Sequence, residues 1–464
     1  MPGGRQPGQT RSWSPLDMSG RFICCHGTRY TALVFLLSFY LMLANHLVFR
    51  RMFSWIAETG ARKPCIKPLV LSATLMLPAA ILVAPRLGEA SYILLAVVGF
   101  YYFLQINLYS TEYKNILLLS LLTLGFYLVA LASVLVSDNH SASLEKLGNL
   151  REFLAAPFIG LLLLDTRVST RFIMLTVKIS ALLVFMVVFY QLLTGTGRPG
   201  GAVNPLVFAV LSLLLGFFSI IRFPLESTAE KLLSLAAFSS GCMASVISQS
   251  RAAWILSIFL FAFVLFAWYR TDYLTKGAAI GISTLFLALV LASSQTPAVQ
   301  QRINSALNEY HSFHTNGEWD SSVGQRIIMW ESGLSAALKK PAFGWGVHQT
   351  QVAAASELAT PEMQQVVLGY NHLHNEYLTN LVAKGLPGLV SLLLMLFVPL
   401  AVFLKNSGDP ELLVYNGIGS LLCIGYALSA FTNQAFGDDT LNIFFVFFLA
   451  ITLPGSGSMK FYFK

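Results

Sequence analysis

The sequence predicts an all-α integral membrane protein of about twelve transmembrane helices, with one long helical loop outside the cytoplasm. Three observations carry this. Of 464 residues, 55% are hydrophobic and only 11% charged, against about 25% charged in a soluble domain whose surface must face water. Mean hydropathy is +0.66, and the apolar residues come in long runs rather than at the spacing of a half-buried helix. One long stretch, 294–384, is polar. A soluble enzyme, a disordered chain and a fibrous protein are all excluded.

A spanning helix needs roughly 20 largely apolar residues. Runs of that kind fall at 68–84, 91–108, 116–136, 153–164 (short), 172–194, 202–221, 232–248, 252–269, 277–293, 385–404, 411–431 and 440–453. A thirteenth apolar run, 31–48, precedes them, and Met52 is a second possible start. The chain therefore divides into a basic N-terminal extension (1–67), nine helices (68–293), the polar loop (294–384), and three helices with a tail (385–464). No internal repeat is visible.

Orientation follows from basic residues in the short loops, which concentrate on the cytoplasmic side. One set of alternate loops holds Arg50, Arg51, Arg62, Lys63, Lys67, Lys114, Arg167, Arg171, Arg222, Lys231, Arg270, Lys276, Lys405, Lys460 and Lys464; the other holds Arg86, Lys146, Arg151, Arg198 and Arg251. This puts the loop 294–384 outside the cytoplasm. The net charge of +8 reflects these loops and forms no basic stripe for nucleic acid. The five cysteines, Cys24, Cys25, Cys65, Cys242 and Cys423, fit no zinc or redox spacing, and none lies in the loop.

A structureless loop of this length would be unusual, so it should contain its own helices. Ser321 or Ser322 is placed to cap a helix through Gly324, Arg326, Trp330 and Leu338, stopped by Pro341 and the turn Gly344-Trp345-Gly346. A second helix is expected to start near Asn371, carry His374, Glu376, Tyr377 and Leu381, and end at Gly385.

Five of the eight histidines (His311, His314, His348, His372, His374) fall in this loop. An imidazole is largely neutral and proton-accepting at pH 7, which suits a general base; the ordinary reading of His311 and His314 is solvated loop residues. His372 and His374 with Glu376 resemble a metal pair only weakly, having no clear third ligand. Arg198, Arg251 and Arg326 lie on one expected face, each beside glycine or small polar residues. Any one of them alone reads as an interfacial anchor. Three together suit a phosphate clamp, because a guanidinium forms bidentate bonds and never loses its charge. Arg302 reads as a surface charge.

The ordered set Ser248-Gln249-Ser250-Arg251, Gly324-Gln325-Arg326-Ile327-Ile328-Met329-Trp330, Pro341-Ala342-Phe343-Gly344-Trp345-Gly346, His374-Asn375-Glu376-Tyr377-Leu378 and Gly385-Leu386-Pro387-Gly388-Leu389 resembles the O-antigen ligase family. The likeness covers roughly 68–453 and is strongest from 240 to 395. Residues 1–67 depart from the family pattern of twelve spans with both ends cytoplasmic. The resemblance implies an inner-membrane glycosyltransferase of lipopolysaccharide biosynthesis, with its active site facing the periplasm. It would move a glycan from undecaprenyl diphosphate to a sugar hydroxyl of lipid A–core, with inversion and without metal or other cofactor. In that scheme His374, Arg326 and Arg251 are catalytic, and Arg198, Asn375, Gln325 and Trp330 bind substrate. Trp330, Trp345 and Tyr377 are candidates to pack on sugar faces, although core packing of the loop helices is the favoured role.

An O-antigen polymerase or a protein O-oligosaccharyltransferase would share the donor and the arginines. A multi-spanning transporter is a reading of a different class, which calls for ionisable residues at the bilayer midplane and broken helices in paired halves; neither pattern is present.

Overall fold

The computed structural model describes residues 63–105, 114–295, 297–405 and 412–456, and every regular element among them is helical. The run 31–48 and Met52 lie outside the described residues. In chain order the helices are α1 Lys63–Val83, α2 Pro85–Phe103, α3 Lys114–Val134, α4 His140–Leu147, α5 Glu152–Asp165, α6 Thr170–Leu193, α7 Pro205–Ile220, α8 Thr228–Ile247, α9 Arg251–Arg270, α10 Lys276–Ser294, α11 Pro297–Asn316, α12 Ser322–Lys339, α13 Thr350–Ala355, α14 Pro361–Leu368, α15 Glu376–Lys405, α16 Leu413–Ser429 and α17 Asp439–Gly455.

Among the described residues each of the twelve apolar runs falls on a helix, but eight spans are long and apolar enough to cross a bilayer: Ile66–Val83, Lys114–Val134, His140–Asp165, Thr170–Leu193, Pro205–Leu225, Thr228–Ile247, Arg251–Arg270 and Glu376–Lys405. The difference is physical. Helix α2 opens on Arg86 and Glu89, while Lys276–Ala288, Leu413–Ser429 and Asp439–Gly455 are shorter apolar stretches than the roughly 20 residues a full hydrocarbon core requires. The chain is a multi-pass integral membrane protein.

Position in the bundle follows from which faces are apolar. Helix α17 is buried from Thr440 to Gly455, and α7 from Val207 to Ile220; apolar all round, they form the centre. Phe444 and Phe448 of α17 meet Phe218 of α7, while Phe445 meets Phe153, Tyr426 and Phe436. The peripheral helices leave Leu121, Leu232, Ile255 and Val390 exposed, as lipid-facing surfaces do.

Polar contacts tie the connections together at two opposite ends. At one end Ala202 N donates to Leu82 O, Arg198 Nε to Ser248 O, Asn442 Nδ2 to Asn149 O, and Glu376 N to Ala430 O. At the other, Trp268 Nε1 donates to Ile221 O, and Lys178 pairs with Glu226 at 2.6 Å, both side chains buried. That pairing gives Lys178, buried within α6, a counter-ion, as a buried charge demands.

The polar loop folds on the first of these ends. Ser321 caps α12, its hydroxyl accepting from Gly324 N at 3.0 Å. Ile328, Met329, Ala336, Ala337, Ala353, Ala354, Val367, Leu373 and Val382 make a separate small core. Helix α15 is broken at Gly385, where φ is +65° and ψ −159°. The break is gripped by the loop: Leu386 N donates to Pro341 O, Trp345 N to Val382 O and Gly346 N to Ala383 O. Gly344, at φ +71°, fits there because a Cβ would sit 2.6 Å from the backbone of Ala383, Lys384 and Gly385.

Candidate active site at the loop end of the bundle

His374 is not on a helix. It occupies a left-handed turn (φ +50°) immediately before α15, a conformation rare outside glycine and asparagine that must be held by its surroundings. Four contacts hold it. Asn375 Oδ1 accepts from Leu378 N at 3.0 Å and so caps α15. Thr379 Oγ1 accepts from Leu373 N at 3.3 Å. Trp330 Nε1 donates to Leu373 O at 3.1 Å. Leu373 itself is wholly buried in the loop core. The helix expected to start near 371 starts five residues later because residues 371–374 form this turn.

Glu376 is neither solvated nor paired with an arginine among the described residues. It is 4% exposed, accepts from Ala435 N at 3.1 Å and from Asn380 Nδ2 at 2.7 Å, and Lys384 Nζ donates to Asn380 Oδ1 at 2.6 Å. This buried chain pins the start of α15 to the α16–α17 connection. Its i, i+4, i+8 spacing on one helix face was visible in the sequence.

Around His374 the rings close in. His372 lies 4.3 Å away, centroid to centroid, and Tyr370 lies 5.0 Å away. His372 Nδ1 accepts from His374 N at 3.0 Å, so that nitrogen is unprotonated. His374 Nδ1 is buried and has no hydrogen-bond partner among the described residues. Burial, and after it the Arg326 guanidinium, push His374 down to about 4. Burial, His374, Lys146 and Arg326 push His372 down to about 3. Both imidazoles are therefore neutral near pH 7.

The arginines form a connected series. Arg326 on α12 is held below its ordinary pKa by burial and by Arg251, and is supported by Tyr370 and Glu309. Arg251 opens α9 and reaches Glu309 of α11 at 4.0 Å, while Glu309 also accepts from Val323 N at 3.1 Å. Arg198 donates to Ser248 O, two residues before the N-cap of α9. Gln325 Oε1 accepts from Tyr370 Oη at 2.6 Å, and its amide nitrogen donates to Asp320 at 2.9 Å. Thus Arg251, Arg326, Gln325 and His374 share one electrostatic neighbourhood, with Arg198 attached through the α8–α9 turn. The buried Arg326 guanidinium, held down in pKa by burial and by Arg251, stands beside neutral imidazoles in a site that an anion would stabilise.

The aromatic candidates have structural engagements. Trp330 holds Leu373, Trp345 Nε1 donates to Ala336 O with Lys340 over its ring, and Tyr377 Oη donates to Ala427 O. Among the described residues no group of three His, Cys, Asp or Glu side chains is placed to hold a metal ion.

Residues 235–393, which include Arg251, Arg326 and His374, match the O-antigen ligase family. An uncharacterized protein of Haemophilus influenzae is 25% identical over 339 residues, 70% of this chain and 82% of the relative. The O-antigen ligase of Escherichia coli is 30% identical over 155 residues, 32% of this chain and 36% of the relative. A general O-oligosaccharyltransferase of Acinetobacter baylyi is 26% identical over 160 residues, 33% of this chain and 27% of the relative. The chain thus carries an O-antigen ligase family domain over residues 235–393.

Proposed function

We propose that this protein is an O-antigen ligase. It transfers a glycan from undecaprenyl diphosphate to a sugar hydroxyl of lipid A–core at the periplasmic face of the bacterial inner membrane. The observation that carries the reading is the position of Arg326, close enough to act electrostatically on both Arg251 and His374. One group then links a site for a leaving diphosphate to a proton acceptor. The short-loop bias of Lys and Arg supports placing this end of the bundle, with the loop 294–384, outside the cytoplasm.

The chemistry is a single displacement. The acceptor oxygen attacks the anomeric carbon, the bond from that carbon to the diphosphate oxygen breaks, and His374 takes the hydroxyl proton. Undecaprenyl diphosphate departs with the bonding electrons. Arg251, Arg326 and Arg198 stabilise the charge that grows on it, the office a divalent ion fills elsewhere. A single displacement inverts the anomeric centre. Asn375 caps α15 and so fixes His374, and Gln325 holds Tyr370 against the imidazole.

The likeness to the Acinetobacter oligosaccharyltransferase supports a second reading in which a protein is the acceptor. The test is transfer from purified undecaprenyl-diphosphate-linked glycan, with lipid A–core, a second lipid-linked glycan and a protein offered in competition. A lipid A–core product is expected. Exclusive modification of the lipid-linked glycan or of the protein overturns the ligase assignment in favour of a polymerase or a protein glycosylase.

A further inference from the structure

A groove of about 460 Å³ lies between the end of α11 and the start of α12, lined by Asn308, Glu309, Glu318, Trp319, Asp320 and Ser321 among others. Its size falls within the ~300–1,000 Å³ of ordinary small-molecule sites. We infer that this groove holds a sugar unit of the reacting glycan beside the scissile bond, with Trp319 as its aromatic surface; the inference rests on the glycosyl-transfer reading above.

Three observations support it. First, the groove touches both halves of the candidate active site. Glu309 lines it and also faces Arg251 at 4.0 Å. Asp320 lines it and is linked through Gln325 to Tyr370, whose ring lies 5.0 Å from that of His374. Second, its chemistry suits a saccharide and not a phosphate. Glu309, Glu318 and Asp320 are acceptors that repel an anion but take hydrogen bonds from sugar hydroxyls, and Asn308 and Ser321 bring amide and hydroxyl groups. An indole offers an apolar face to the C–H side of a pyranose. These carboxylates form no group placed to bind a metal. Third, Trp319 is built into place. Its backbone lies against Gly324, where a Cβ would come within 2.6 Å of the Trp319 carbonyl oxygen, and its side chain packs on the loop core. Gly324, two residues before Arg326, thereby lets the tryptophan backbone lie against the start of α12. Trp330, Trp345 and Tyr377 donate to carbonyls of the loop and the bundle, whereas Trp319 lines the groove itself.

The test uses the full chain in lipid nanodiscs. Binding of three ligands is measured: undecaprenyl diphosphate without sugar, undecaprenyl diphosphate carrying an oligosaccharide, and lipid A–core. Trp319→Ala is expected to weaken one or both sugar-bearing ligands by about tenfold, the scale of one aromatic contact, and to leave the sugar-free carrier unchanged. Weakening of the carrier glycan alone assigns the groove to the donor; weakening of lipid A–core alone assigns it to the acceptor. Because Trp319 also touches the loop core, Asn308→Ala on the open rim serves as a second variant, with a smaller loss in the same pattern. Unchanged binding of all three ligands in both variants overturns the groove, as does a uniform loss that includes the sugar-free carrier. Failure of the unaltered protein to bind either carrier overturns the glycosyl-transfer reading instead.

Discussion

His374 illustrates how one side chain is tuned by what surrounds it. An exposed imidazole titrates near 6.5, but burial and Arg326 bring this one to about 4. In the free protein it is therefore ready to accept a proton throughout the physiological range. A bound diphosphate adds negative charge beside it and neutralises Arg326, which raises its pKa and strengthens it as a base. The acid limb of kcat/KM, which reports free enzyme, is accordingly expected near pH 4, and that of kcat at higher pH; coincident limbs near pH 6.5 would contradict the burial of this histidine. Stability follows the same sign. With folded values of about 3 and 4 for His372 and His374 below the ordinary 6.5, their contribution is complete above pH 6.5. It is lost as the pH falls through that window, so thermal unfolding temperature should drop between pH 6.5 and 4, and less so in His372→Ala. For the clamp, Arg251→Lys replaces a planar fork by a point charge. Donor binding is expected to weaken by about tenfold, the free-energy scale of one charge-assisted hydrogen bond, in a titration with undecaprenyl diphosphate.

At the scale of elements, the glycine-rich motifs turn out to be joints. Pro341–Gly346 closes over the break in α15 at Gly385, so these two distant motifs are partners in one backbone contact. Gly385→Ala places a side chain at φ +65° and 2.6 Å from Ala342, so a loss of at least about 1–3 kcal/mol is expected from the strained backbone alone. Thermal unfolding of the purified variant checks this, and an unchanged midpoint would mean that α15 runs on as a straight helix. Much here was legible beforehand. The Ser321 cap, the stop after Leu338 and the interruption at Gly385 all follow from local turn chemistry. The left-handed His374 did not, because His-Asn-Glu-Tyr-Leu reads as helix until Leu373, Trp330 and Asn375 are seen to hold the turn. The burial of Glu376 was hidden for a related reason: Asn380 is its i+4 neighbour on α15, but Ala435 reaches it only through packing of α15 against the α16–α17 connection. Trp319 gave no sequence cue beyond its neighbourhood to Gly324.

For the whole molecule, composition and apolar runs gave the class, and among the described residues the twelve runs from 68 onward became helices. Crossing length was harder to read, since α16 and α17 are short yet lie in the buried centre, where neighbouring helices rather than lipid surround them. The folded loop joins side chains from α9, α11, α12 and the His374 turn at one end of this bundle, which no local pattern could establish. If the arginines perform the charge stabilisation, chelation is expected to leave transfer unchanged; loss of activity in EDTA, restored by a divalent ion, would return the two histidines to a metal-binding role. The most direct measurement is single-turnover transfer by His374→Ala in nanodiscs, alongside its binding of the glycan-bearing carrier. Donor affinity close to that of the unaltered protein, with a transfer rate lower by at least about 100-fold, is the expected result. Transfer at the unaltered rate by that variant would contradict the account.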